Sequence, residues 1–216
     1  MILSLRNSMT YYIPESLLDE IEQLKEHGKF DEAIRVVNTI LARDPTNEDA
    51  LLQIADIQYR RGEIGKADKA VDFLNTKKKN DPLGLYIKGI LEMEKNNRKE
   101  ARTHLQKAIN LTKGDNHEII RCYGLCEYRY GNREKGLQYL NTAFEMNSRD
   151  AEVVYNLIQL YILEHDYTKA TEIIQFFKTH HAELKVVDKD IQRYDKKIAL
   201  FEKFLRTPNL LDIHNM

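Results

Sequence analysis

One small residue recurs along this chain at an almost fixed interval: Ala33, Ala67, Ala101, Gly136 and Ala170, separated by 34, 34, 35 and 34 positions. Recurrence of this kind restricts the chain to a stacked array of one structural unit, each unit burying its apolar face on the next. Each small residue closes a related hexapeptide: GKFDEA, GEIGKA, NNRKEA, GNREKG and HDYTKA. Four residues further on stand Val37, Val71, Leu105, Leu140 and Ile174, and three beyond those Ile40, Leu74, Ala108, Ala143 and Phe177. Offsets of four and seven place all three columns on one face of a helix.

A second helical segment lies upstream of each column, for example EDALLQIADIQYRR and AEVVYNLIQLYILE. Gly28, Gly62 and Gly131 break the chain between the two segments, with Asn96 and His165 in the equivalent places. Glycine ends a helix in the left-handed conformation at least cost, and asparagine is its common substitute. Each unit therefore reads as helix, tight turn, helix. Four prolines and nine glycines in 216 residues argue against a turn-rich all-β chain. The 31% charged content fits a thin body exposing much surface.

The period, the small residue opening the second helix, the turn in GKFDEA, the closing Asp44–Pro45 and the intrahelical Gly89 and Gly124 together resemble the tetratricopeptide repeat family. The resemblance implies an all-α, right-handed superhelical solenoid of helix-turn-helix repeats. It covers residues 14–184 as five units: 14–47, 48–81, 82–115, 117–150 and 151–184. The chain departs from the family pattern in having no Trp, in keeping the closing proline clearly only in the first unit, with Pro82 displaced to the second junction, and in carrying Arg98 where an aromatic is usual. Pentatricopeptide repeats, which read RNA, have a 35-residue period and basic flanks; a net charge of −1 speaks against them.

Residues 185–206 form a further amphipathic segment: Val187, Ile191, Tyr194, Ile198, Phe201 and Leu205 step by 4, 3, 4, 3 and 4. Such a seam serves either as the C-terminal capping helix that a solenoid needs or as a coiled-coil surface making a homodimer. Residues 1–13 and 207–216 are expected to be flexible.

In this family the first helix of each unit lines the concave side, along a strip at offsets zero, four, seven and eight. The resemblance thus implies a partner-binding groove built from Leu52, Tyr59, Arg60, Tyr86, Ile90, Met93, Arg121, Leu125, Tyr128, Arg129, Tyr155, Gln159 and Ile162. Tyrosine and arginine are over-used at binding hot spots because they bury much area and keep a polar handle. The competing reading is that curvature brings neighbouring strips together, leaving Tyr86, Ile90 and Met93 as core. Clamps for a chaperone's terminal carboxylate need lysines and asparagines where this chain has Leu18 with Glu22 and Leu52 with Asp56, so that mode is disfavoured.

Nothing in the sequence asks for chemistry. It holds no phosphate-cradling glycine loop, nucleophile elbow or zinc-protease helix, and no catalytic residue, metal site or cofactor is assigned. His180 and His181 adjoin near a helix end, where cations complement the dipole. Cys122 and Cys126 stand four apart on a helix, a spacing that suits reduced thiols better than a disulfide. With no apolar stretch long enough for a signal peptide or a membrane span, the expectation is a cytoplasmic, non-catalytic adaptor, scaffold or chaperone-like protein. Its partner is a protein or peptide segment, with no nucleic acid and no membrane insertion; the alternative is a self-assembling structural protein.

Overall fold

The computed structural model describes residues 13–77, 80–180 and 188–206, and the side chains of these except 77 and 188–194. Eleven α-helices and no strand occur among the described residues. They are α1 (Glu15–Glu26), α2 (Phe30–Leu41), α3 (Glu48–Arg60), α4 (Ile64–Lys77), α5 (Pro82–Glu94), α6 (Arg98–Leu111), α7 (His117–Tyr130), α8 (Arg133–Met146), α9 (Ala151–Leu163), α10 (Tyr167–His180) and α11 (Asp188–Arg206). They form two compact units, residues 1–122 and 123–216, divided within α7.

In the first unit each helix from α1 to α6 packs on the next in sequence. The columns read from sequence form the seams. Ala33, Ala67 and Ala101, with Val37, Val71 and Leu105 four residues on, have no exposed surface. Gly89 of α5 is required where it stands, because a Cβ there would lie 2.5 Å from Leu105 Cγ. Ile13, Leu18 and Ile21 join Ala50 and Ile57 in the core at the N-terminal end.

In the second unit α8 packs on α9, α9 on α10, and α11 on both α9 and α10. Helix α7 approaches α8 backbone to backbone, with Gly136 standing where the other hairpins have alanine. A Cβ at Gly136 would sit 2.6 Å from Tyr128 N and 2.7 Å from Gly124 O. The α11 face is Ile198, Phe201 and Phe204, all buried, whereas the expected Leu205 is half-buried. Phe201 stacks on Tyr155 at 5.6 Å, and Lys178 pairs with Glu202 at 2.6 Å. Thus α11 covers the end of this unit; Val187 and the side chains of Ile191 and Tyr194 lie outside the described residues.

Four of the five intra-hairpin turns share one construction. Gly28, Gly62, Asn96 and His165 adopt φ of 70, 80, 60 and 58°. The next amide donates back across the turn, Lys29 to Leu24 O, Glu63 to Gln58 O, Asn97 to Glu92 O and Asp166 to Tyr161 O, at 2.8 to 2.9 Å. Gly131 departs from the expectation. Helix α7 runs on to Tyr130, Gly131 is not left-handed, and a Cβ there would strike Glu127 Oε2 at 2.2 Å.

A further repeat column lies before the first helices. Asn47, Asp81, Asn116 and Asp150 accept side-chain hydrogen bonds from Ala50, Gly84, Ile119 and Val153 amides at 2.8 to 3.4 Å. These caps satisfy otherwise unpaired donors, at about 1 kcal/mol each. Pro82 is accordingly the opening residue of α5 rather than a displaced closing proline.

Replacing Gly136 by Ala is expected to destabilise the chain by about 1–3 kcal/mol, because backbone rather than a movable side chain stands in the way. Denaturant unfolding of Gly136→Ala beside Gly65→Ala, whose added Cβ meets nothing within 4 Å, measures it.

Candidate partner-binding surface

The predicted strip divides into residues that the stacking encloses and residues that keep surface. In the first unit Leu52, Tyr86, Ile90 and Arg121 are buried. Tyr59 and Met93 are half-buried and Arg60 is exposed. In the second unit Tyr128, Tyr155 and Ile162 are buried, Leu125 and Gln159 half-buried and Arg129 exposed. Seven of the thirteen residues are thus removed from a solvent-lined groove. The competing reading agrees with the burial of Tyr86 and Ile90, while Met93 retains surface.

Polar contacts show how this happens. Tyr59 donates to Glu94 at 3.3 Å, Tyr86 to Glu118 at 3.3 Å and Tyr128 to Glu164 at 2.6 Å. Each bond joins a first helix to the first helix of the next repeat. Arg121 lies 2.8 Å from Glu118 and balances its charge. Cys122 Sγ approaches the Tyr86 hydroxyl at 3.7 Å; Cys126 is also buried, and neither forms a disulfide. Burial and then Glu94 push the Tyr59 phenol up to about 12. Burial with Cys122 and Glu118 raises Tyr86, and burial with Glu164 raises Tyr128. All three remain protonated donors at neutral pH. Tyr155 lies beneath α11, where Lys197 Nζ is 4.2 Å from its ring centre and 3.1 Å from its hydroxyl.

The first two strips also meet through charge. Lys25 Nζ reaches Glu22 at 2.6 Å, Asp56 at 2.7 Å and Gln53 at 3.0 Å, and Arg60 Nε reaches Asp56 at 3.2 Å. Lys25 and Asp56 have no exposed side-chain surface. Burial works to raise the Asp56 carboxyl, but Lys25 and Arg60 outweigh it and hold it below its ordinary value. Glu22, Lys25 and Asp56 therefore seal an interface instead of lining a groove. Sequence reasoning noted Glu22 and Asp56 only as unfit for a carboxylate clamp and missed this contact between successive strips; the alternating signs at 22, 25, 56 and 60 were the available signal.

His180 stacks on Phe176 at 4.3 Å with Nδ1 3.0 Å from the Phe176 carbonyl, a use of the ring that is internal to α10. His181 lies outside the described residues. No helix among the described residues is long and apolar enough to cross a membrane.

The tetratricopeptide repeat family model matches residues 24–91. A TPR repeat-containing protein of Methanocaldococcus jannaschii is 25% identical over 182 residues, which cover 81% of this chain and 31% of that protein. The chain thus spans about a third of the curated relative it matches. Among solved structures, the thermophilic TPR protein TTC0263 of Thermus thermophilus superposes with a TM-score of 0.69 at 20% identity, covering 84% of this chain and 97% of that one. YrrB, a TPR protein with an unusual peptide-binding site, superposes with a TM-score of 0.52 at 19% identity, covering 87% and 90%. The matched segment thus resembles the tetratricopeptide repeat family in sequence, and the recurring helical hairpins give the chain the fold of tetratricopeptide repeat proteins.

Replacing Lys25 by Met should cost about 3–5 kcal/mol, because two buried carboxylates lose their cation. Chemical denaturation measures it. The depressed Asp56 also makes the stability sensitive to acid. Its contribution is complete above the unfolded value of 3.8 and fades as pH falls through the lower folded value. Thermal melts from neutral pH to about pH 2 should show that limb, and Asp56→Asn should flatten it.

Proposed function

We propose that this chain is a non-catalytic adaptor or scaffold that receives a segment of a partner protein along the exposed edge of its first helices. The observation carrying this is the distribution of surface. Tyr59, Arg60, Met93, Leu125, Arg129 and Gln159 keep accessible area at offsets four, seven and eight of consecutive first helices. The offset-zero residues Leu52, Tyr86, Arg121 and Tyr155 are spent on stacking. Each unit offers such side chains by itself, Tyr59, Arg60 and Met93 on the first and Leu125, Arg129 and Gln159 on the second, and sets of this kind suit hot-spot binding, in which a few side chains carry most of the affinity.

The peptide-binding site of YrrB supports the same mode on a shared fold. The five-repeat division, 14–47 to 151–184, belongs to this proposal, as does a cytoplasmic place of work. Self-assembly through α11 is the weaker reading: Ile198 and Phe201 of the seam, with Phe204, are already buried where α11 packs on α9 and α10.

A photo-crosslinking amino acid introduced at Leu125 or Gln159 should trap a partner protein from the native host's extract. The same group at Lys69 or Lys107, exposed on second helices, should not. Equal trapping at all four positions would move the interface off the first helices.

A further inference from the structure

The geometry points to an acidic, aliphatic peptide segment as the occupant of the second unit's first-helix surface, held by Arg129 and Arg133 beside Leu125 and Leu163. This rests on the partner-segment reading above and specifies the chemistry of the partner.

Leu125 and Arg129 are one turn apart on α7, and Gln159 and Leu163 hold the equivalent positions on α9. The Tyr128–Glu164 hydrogen bond of 2.6 Å ties the C-terminal ends of the two helices, which fixes these pairs side by side. Leu163 is 40% exposed, a large apolar side chain left at the surface next in sequence to the Glu164 that Arg133 approaches. Arg133 caps the platform. Its guanidinium lies 5.5 Å from the Tyr128 ring centre and 3.6 Å from Glu164, yet its side chain is 70% exposed.

Charge decides the kind of occupant. Glu164 is already engaged by the Tyr128 hydroxyl and by Arg133. Arg129 is exposed, and among the described residues its side chain takes part in no ion pair or hydrogen bond. The platform therefore presents an uncompensated guanidinium, and a carboxylate is its natural complement, since guanidinium–carboxylate pairs can be bidentate. The flanking leucines ask for aliphatic side chains beside that carboxylate, which a nucleic acid does not supply. A net charge of −1 gives the whole chain no general attraction for anions, so the pull on a carboxylate comes from the local guanidinium.

The test is selection of random dodecapeptides displayed on phage against the full chain, followed by affinity measurement with the selected synthetic peptides. Enrichment of Asp or Glu next to Leu, Ile or Met is expected, with affinity about tenfold weaker for Arg129→Glu and falling with salt. Circular dichroism confirms that Arg129→Glu is folded, and selection on Arg129→Glu/Arg133→Glu should return less acidic peptides. Neutral or basic peptides that depend on Leu125 and Leu163 would overturn the acidic assignment and leave the partner-segment reading standing. Peptides indifferent to Arg129, Leu125 and Leu163 would overturn this assignment, and no peptide at all would sink both. Stronger Arg129-dependent binding of a single-stranded oligonucleotide or of phosphatidylserine vesicles would reassign the surface to another class of ligand.

Discussion

The structure depends on how closely the two helices of each hairpin can approach. A methyl group at Ala33, Ala67, Ala101 and Ala170, and a bare Cα at Gly136, let one backbone lie against the other. Everything else follows from that separation. It sets where Val37, Val71, Leu105, Leu140 and Ile174 bury, and so the angle at which each hairpin offers its face to the next. The first helices of successive hairpins then come near enough for a tyrosine on one to reach a carboxylate on the next.

These inter-repeat bonds explain the division of labour within the first helices. A tyrosine at the interface buries a large ring and still reaches its partner oxygen, so area and polarity are satisfied together. Each such residue leaves the solvent-facing strip. The strip that remains is narrower than its sequence suggests and richer in arginine. On the second unit it is the product of two demands on neighbouring side chains: Tyr128 turns inward to Glu164, and Arg129 turns outward.

Much of the fold was legible because period and burial coincide. The helical hairpins and the small-residue column could be read from spacing, and the close approaches at Gly89 and Gly124 from the family resemblance. The Asx caps at 47, 81, 116 and 150 repeat just as regularly and escaped notice because asparagine and aspartate look like ordinary loop residues. Gly131 misled for the opposite reason. It resembles the other turn glycines, yet α7 extends one residue further and uses it to clear Glu127. The surface was less legible than the core. Position on a helix face does not say whether a neighbouring helix will cover it: Tyr86 and Arg129 were both assigned to the groove, yet the first is buried and the second exposed. Leu205 on α11 was expected at the seam, where Phe204 buries instead, because the alternative steps of three and four diverge by one residue along a helix.

The repeats look interchangeable in outline and are not so in their locks. One junction is fastened by Lys25 with Asp56, the next by Tyr59 with Glu94, another by Tyr86 with Glu118 and another by Tyr128 with Glu164. Excising one hairpin and rejoining the chain would set the Lys25 ammonium against Ile90, or the Glu118 carboxylate against Leu52, inside a dry seam. The array therefore has a fixed order. Lengthening it in the middle, or shuffling its members, now carries a penalty that a string of identical repeats would never feel.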